Sequence, residues 1–148
     1  MQQFDACNTL RSLCKHHSSL LLQQGVAQLS NIVTYLLKLA ESLRSSLSKI
    51  SLMTINDMIV QLKRCMEPYL EQLIKILLKK ASLDTNSFIS EEADRGLITM
   101  CTYCQDARVL RALLTATNGG NHKSNLVRQR ICKCFETVRF EFIILCFS

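Results

Sequence analysis

The stretch Leu70-Glu71-Gln72-Leu73-Ile74-Lys75-Ile76-Leu77-Leu78-Lys79-Lys80-Ala81 decides the fold. Leu70, Leu73, Ile74, Leu77, Leu78 and Ala81 recur at i, i+3, i+4, i+7, i+8 and i+11, the spacing of one face of an α-helix. The same six-point stripe stands 41 residues earlier as Leu29, Ile32, Val33, Leu36, Leu37 and Ala40. A shorter copy, Leu110, Leu113 and Leu114, lies 40 residues later and runs into Asn118-Gly119-Gly120, a helix stop.

A second stripe family alternates with the first. Leu47, Ser51, Ile55 and Met58 are matched by Ile89, Ala93, Leu97 and Met100, and again by Val127, Ile131, Phe135 and Val138. Ala6, Leu10, Cys14 and His17 form a weaker copy at the front of the chain. Small residues at the second point of two copies, Ser51 and Ala93, leave room for helices to approach closely.

Working outward, the chain divides into about seven antiparallel helices with a period near 40. First-type helices are expected at about 4–17, 44–63, 86–103 and 124–141, and second-type helices at about 25–41, 67–82 and 106–117. Pro68 fits the first turn of its helix, where a missing N–H is harmless. Asp84-Thr85-Asn86-Ser87 supplies N-caps before Phe88, and Glu91, Glu92 and Asp94 read as carboxylates near a helix N-terminus. Gly96 costs about 1 kcal/mol against Ala inside a helix unless close packing requires it. One helix pair cannot bury its own apolar faces, so neighbouring pairs must stack, giving an all-α solenoid. A compact bundle of seven amphipathic helices is the alternative arrangement.

Composition agrees. The 148 residues are 48% apolar and 20% charged, with one Pro, four Gly and no Trp. Those values exclude a disordered or collagen-like chain, and an all-β chain needs more turn residues. The net charge is +6, from 18 basic against 12 acidic side chains, with no run of five like charges. Such an excess suits either steering toward an acidic partner surface or ordinary solubility.

Other constellations are weaker. The eight Cys, in a chain whose Met1–Asn8 start is polar and unlike a secretory leader, read mostly as small buried hydrophobes of a reduced, intracellular protein. Cys101-x2-Cys104 with Cys132-x-Cys134 lacks the usual zinc spacing and reads as packed thiols, so no metal or other cofactor is expected. Cys14 with His16 and His17 lacks a third, orienting group for nucleophilic catalysis. His17 and Cys14 are expected on the core stripe of the first helix instead. No phosphate loop, dinucleotide turn, zincin helix or nucleophile elbow occurs, so no enzyme and no small-molecule substrate are expected. Arg128, Arg130 and Lys133 cluster without interleaved aromatics, and nucleic acid is not expected as a partner. The longest apolar run, Phe142–Phe147, is far short of the ~20 residues that span a bilayer, and Cys146 is misplaced for prenylation, so no membrane association is expected.

Paired helices at a period near 40 resemble HEAT repeats. Ser124-Asn125-Leu126-Val127-Arg128 resembles the usual start of a HEAT first helix, with a cap, a buried Val and an Arg. Leu43-Arg44-Ser45-Ser46-Leu47-Ser48 is similar to the first-helix start of TOG domains. Leu77-Leu78-Lys79-Lys80-Ala81, followed by Asp84-Thr85-Asn86-Ser87-Phe88-Ile89-Ser90-Glu91-Glu92-Ala93-Asp94, resembles a repeat junction in the same family. The resemblance covers about residues 5–138 and is nearest to TOG domains of the crescerin type, the TOG-array regulators of axonemal microtubules, then to those of CLASP type.

That resemblance implies a flat HEAT paddle binding tubulin along the edge made by the turns inside each helix pair. Those turns are about 17–24, 63–67 and 102–106, and they nominate Leu21, Lys63, Arg64, Thr102 and Tyr103. Many TOG domains present a Trp in the first turn; here Leu20, Leu21 and Leu22 stand there. The implied function is a tubulin-binding microtubule regulator in the cytoplasm and cytoskeleton, with a ciliary setting. The alternative is a HEAT scaffold for another protein that no longer binds tubulin. Residues 1–139 read as a partial domain of about three and a half helix pairs, and 140–148 as an apolar, β-prone tail. A truncated domain of poor solubility is the expectation.

Overall fold

The computed structural model describes residues 1–118 and 124–147, with side chains through 116 and over 124–138. The helices are α1 (Gln2–His16), α2 (Ser18–Gln23), α3 (Val26–Ala40), α4 (Ser45–Leu62), α5 (Leu70–Leu83), α6 (Ser87–Tyr103), α7 (Asp106–Asn118) and α8 (Asn125–Phe147). A 3-10 turn, Lys63–Tyr69, joins α4 to α5, and no strand occurs among the described residues.

The first-type helices α1, α4, α6 and α8 lie side by side in one layer. The second-type helices α3, α5 and α7 form the other, and each packs on the first-type helix that follows it: α3 on α4, α5 on α6, α7 on α8. The two stripe families meet between the layers. All six members of the α5 stripe are buried, as are Leu47, Ser51, Ile55 and Met58 of α4 and Ile89, Ala93, Leu97 and Met100 of α6. The architecture is an all-α solenoid of stacked helix pairs, as the periodicity requires.

Small polar residues bond the layers at repeating positions. The Ser48 hydroxyl donates to the Ala40 carbonyl at 2.6 Å, and Ser90, its counterpart in the next repeat, donates to the Ala81 carbonyl at 2.7 Å. Each serine thereby ties a carbonyl near the end of a second-type helix, where intrahelical partners run out. Ser51 adds a bond from α4 to the Leu36 carbonyl at 2.7 Å. Ser48→Ala should therefore cost about 1–2 kcal/mol, read as a lower urea midpoint, because it leaves a buried carbonyl short of a donor.

Two glycines have distinct reasons. Gly25 caps α3 at φ +88°, where a side chain would have open space but the wrong backbone conformation. Gly96 is a close approach: a Cβ there would sit 2.9 Å from Leu77 Cδ2 and 3.1 Å from Asn56 Oδ1.

Several expectations are corrected. The first intra-pair turn is not a plain loop, because α2 occupies Ser18–Gln23. Pro68 lies in the 3-10 turn rather than in the first turn of α5. The 3-10 geometry accommodates it because so few N–H donors are needed there. His17 is exposed, since the chain leaves the α-helical path at its φ of −142° and the core stripe ends at Cys14. The backbone of 140–147, expected as a β-prone tail, continues α8 as helix. The Gly119-Gly120 stop and the side chains of that tail lie outside the described residues.

Candidate functional site

The turns inside the helix pairs share one edge of the solenoid, held there by hydrogen bonds that cross from pair to pair. The Tyr69 hydroxyl donates to the Val26 carbonyl at 3.3 Å, tying the 3-10 turn to the start of α3. On its other side, the Cys104 thiol donates to the Lys63 carbonyl at 3.9 Å. Glu67 completes the clamp. Its Oε1 accepts the Gln105 N–H at 2.9 Å, and its Oε2 lies 3.1 Å from Arg108 Nε. The Glu67 side chain is only 7% exposed, while its partner Arg108 keeps most of its side chain in solvent.

The nominated residues divide on this frame. Lys63 and Arg64 are both exposed, and neither has an ion-pair partner among the described residues. Lys63 ends α4 at φ +45° and ψ −113°, a conformation that L side chains avoid. The rigid turn holds it there, at a cost of order 1–3 kcal/mol. A cation at a helix C-terminus also gains from the macrodipole, which is a purely structural reason for a Lys-Arg pair at this point. Thr102 and Tyr103 are exposed but are the last two residues of α6 rather than part of a turn from 102 to 106, and the Thr102 hydroxyl donates to the Ile98 carbonyl of that helix at 2.9 Å.

Leu21 is a correction. It is 8% exposed and belongs to the core, whereas Leu20 and Leu22 are 48% and 46% exposed. Because α2 is helical, successive side chains point about 100° apart, and turning Leu21 inward sends its two neighbours outward. The apolar face of the first turn is therefore Leu20 and Leu22.

Beside the clamp, a cleft of about 390 Å³ opens between the 3-10 turn and α7, lined by Glu67, Pro68, Leu70, Glu71, Arg108, Arg111 and Ala112. Neither Glu67 nor Arg108 stands in a motif. Their signal was the spacing: they lie one repeat apart, the offset that also separates the helices they join.

The remaining constellations resolve into packing. Cys7, Cys14, Cys101, Cys104 and Cys134 are buried thiols, while Cys65 and Cys132 are exposed. Burial pushes Cys14 and Cys104 up to about 11, far from a reactive thiolate at neutral pH. Cys101 is also raised, first by its hydrogen bond to Cys134 across the α6–α8 contact and then by burial. Cys132 points to solvent and is not a packed thiol, because it sits two residues from Cys134 on the opposite side of α8. Among the described residues no group of three or more His, Cys, Asp or Glu is arranged to hold a metal. Glu92 is not a free N-terminal carboxylate: it is 8% exposed, within 3.5 Å of Asn56 Nδ2 and 3.4 Å of Arg95. In the basic cluster of α8, Arg130 is committed to Asp94 of α6 at 2.5 Å and Arg128 to Asn125 at 3.0 Å. Within the described residues no helix is long and apolar enough to cross a membrane.

The chain matches the family model described as CLASP N terminal over residues 2–132. Among curated proteins it is similar to the mouse (Mus musculus) TOG array regulator of axonemal microtubules protein 1, 27% identical over 129 residues and 87% of this chain. It is similar also to the human (Homo sapiens) protein of that name, 29% identical over 119 residues and 80% of this chain. The matched segments are 7% and 6% of those proteins, so the chain spans less than a tenth of their length. No solved structure gives a significant match.

Proposed function

This chain belongs to the CLASP N terminal family, and from that membership we propose that it is a non-enzymatic, TOG-like module that binds tubulin and takes part in regulating microtubules. Its described relatives act on axonemal microtubules by name, which supports a cytoskeletal and ciliary setting. Residues 1–139 form the partial TOG-like domain in this reading, and 140–148 its C-terminal extension.

The observation that carries the proposal is the edge. Lys63 and Arg64 stand exposed, with no ion-pair partner among the described residues, on a turn that Glu67 and Cys104 tie to the segment following α6. A basic pair on a rigid edge suits an acidic protein surface, because little loop ordering remains to be done on binding. A scaffold for a different acidic protein is the second reading. It is favoured by the first turn, where Leu21 is buried and Leu20 and Leu22 are the leucines that face outward.

Co-elution of the folded 148-residue chain with purified tubulin tests the proposal. A complex at low salt that weakens as salt rises is the expected result. A chain that is helical by circular dichroism yet elutes apart from tubulin at low salt would overturn it.

A further inference from the structure

Helices α6 and α8 pack side by side, and an ion pair fixes which of their faces meet. Arg130 of α8 reaches Asp94 of α6 at 2.5 Å. Cys101 follows Asp94 by seven residues, and Cys134 follows Arg130 by four. Those spacings put each thiol on the face that carries its helix's half of the ion pair. The two thiols meet there, each 2% exposed, and the Cys101 S–H donates to the Cys134 sulfur. That bond holds Cys134 below the ordinary thiol range, against the upward pull of burial. The repeat does not call for sulfur at this contact: α4 and α6 carry Ile59 and Gly96 at the positions of Cys101 and Cys134. Cys104, three residues on, turns instead to the Lys63 carbonyl at 3.9 Å. Among the described residues the pair belongs to no group arranged to hold a metal.

We propose that Cys101 and Cys134 are a redox pair, which hydrogen peroxide closes into a disulfide that staples α6 to α8. In the first step the Cys134 thiolate attacks one peroxide oxygen. The O–O bond breaks, and the departing hydroxide takes up the proton that Cys134 had released. Cys134 is then a sulfenic acid. In the second step the Cys101 sulfur attacks the Cys134 sulfur, the S–O bond breaks, and water leaves with the Cys101 proton. Two thiols give up two electrons, and one peroxide becomes two waters. A dithiol reductant reverses the staple. Because both sulfurs are buried, peroxide reaches them only when α6 and α8 part locally. Closure is therefore slow beside oxidation of the exposed Cys65 and Cys132. Once formed, the bond opposes the same parting that admitted the oxidant.

The test exposes the folded, reduced 148-residue chain to hydrogen peroxide until Cys65 and Cys132 are consumed. Remaining thiols are then blocked, and disulfides are mapped by tryptic mass spectrometry without reduction. The expected product joins peptide 96–108 to peptide 134–139, and dithiothreitol should remove it. Fragmentation of the linked peptides should place the bond on Cys101 rather than on Cys104, the other cysteine of 96–108. The melting midpoint of the oxidised chain should rise by roughly 5–15 °C and fall back on reduction. Cys134→Ser should give neither the link nor the rise. An oxidised chain without this link, or with the bond on Cys104, would overturn the proposal. So would a linked chain whose midpoint does not move, because that bond would not be holding α6 to α8.

Discussion

Reversing both Lys63 and Arg64 to glutamate is expected to abolish co-elution with tubulin while leaving the fold intact. Both side chains are exposed and unpaired, so neither reversal breaks an ion pair among the described residues. The change replaces attraction by repulsion at two adjacent points of one edge. Together that is worth about 2–4 kcal/mol at low salt, roughly 30- to 1,000-fold in affinity. The effect should shrink as salt rises, because exposed charges are screened. Lys63→Gly gives an internal check. It relieves the φ of +45° and should raise stability by about 1 kcal/mol, yet it still removes a charge from the edge. Weaker tubulin binding by a more stable protein would separate the surface role from the structural one. Unchanged binding by the double reversal would refute the assignment of these residues.

The second large effect concerns Gly96 and Leu77, and its sign depends on background. Leu77 is 1% exposed, and truncation to alanine should cost about 2–5 kcal/mol. Gly96→Ala adds a methyl 2.9 Å from Leu77 Cδ2 and 3.1 Å from Asn56 Oδ1, an oxygen that has no hydrogen-bond partner. Overpacking of about 1–3 kcal/mol should outweigh the helix-propensity gain of about 1 kcal/mol. In the Leu77→Ala background the obstructing methyl is gone. Gly96→Ala should then fill part of the cavity and become stabilising. Chemical denaturation of the four proteins of this cycle measures the coupling, expected between about 0.5 and 3 kcal/mol. Additive effects would mean that the α5–α6 contact accommodates the extra carbon without moving Leu77.

Much of this was legible because a solenoid repeats its own instructions. The stripes at Leu29–Ala40 and Leu70–Ala81 located α3 and α5 within a few residues, and Asn86 caps α6 by accepting the Phe88 N–H. What stayed hidden depended on contacts between pairs. Nothing local marks Leu21 as buried, because the turn it was assigned to contains a helix of its own. Glu67 resembles any charged residue before a proline until Gln105 and Arg108 are placed against it. Composition and periodicity describe faces; which faces meet is decided in three dimensions.

Helix α4 has contacts on three sides, with α1, α3 and α6, and its buried set includes Ser48, Ser51, Thr54 and Asn56 beside the aliphatic residues. The consequence is a gradient of local opening. Helix α1 can detach by breaking its contacts with α4 and α2, whereas freeing α4 requires both flanks to separate. Its amide protons should therefore be the slowest to exchange with deuterium, and protection should decline outward through α6 and α3 to α1. Native-state exchange would turn the stacking order of the helices into a ladder of opening free energies, with α4 on the highest rung.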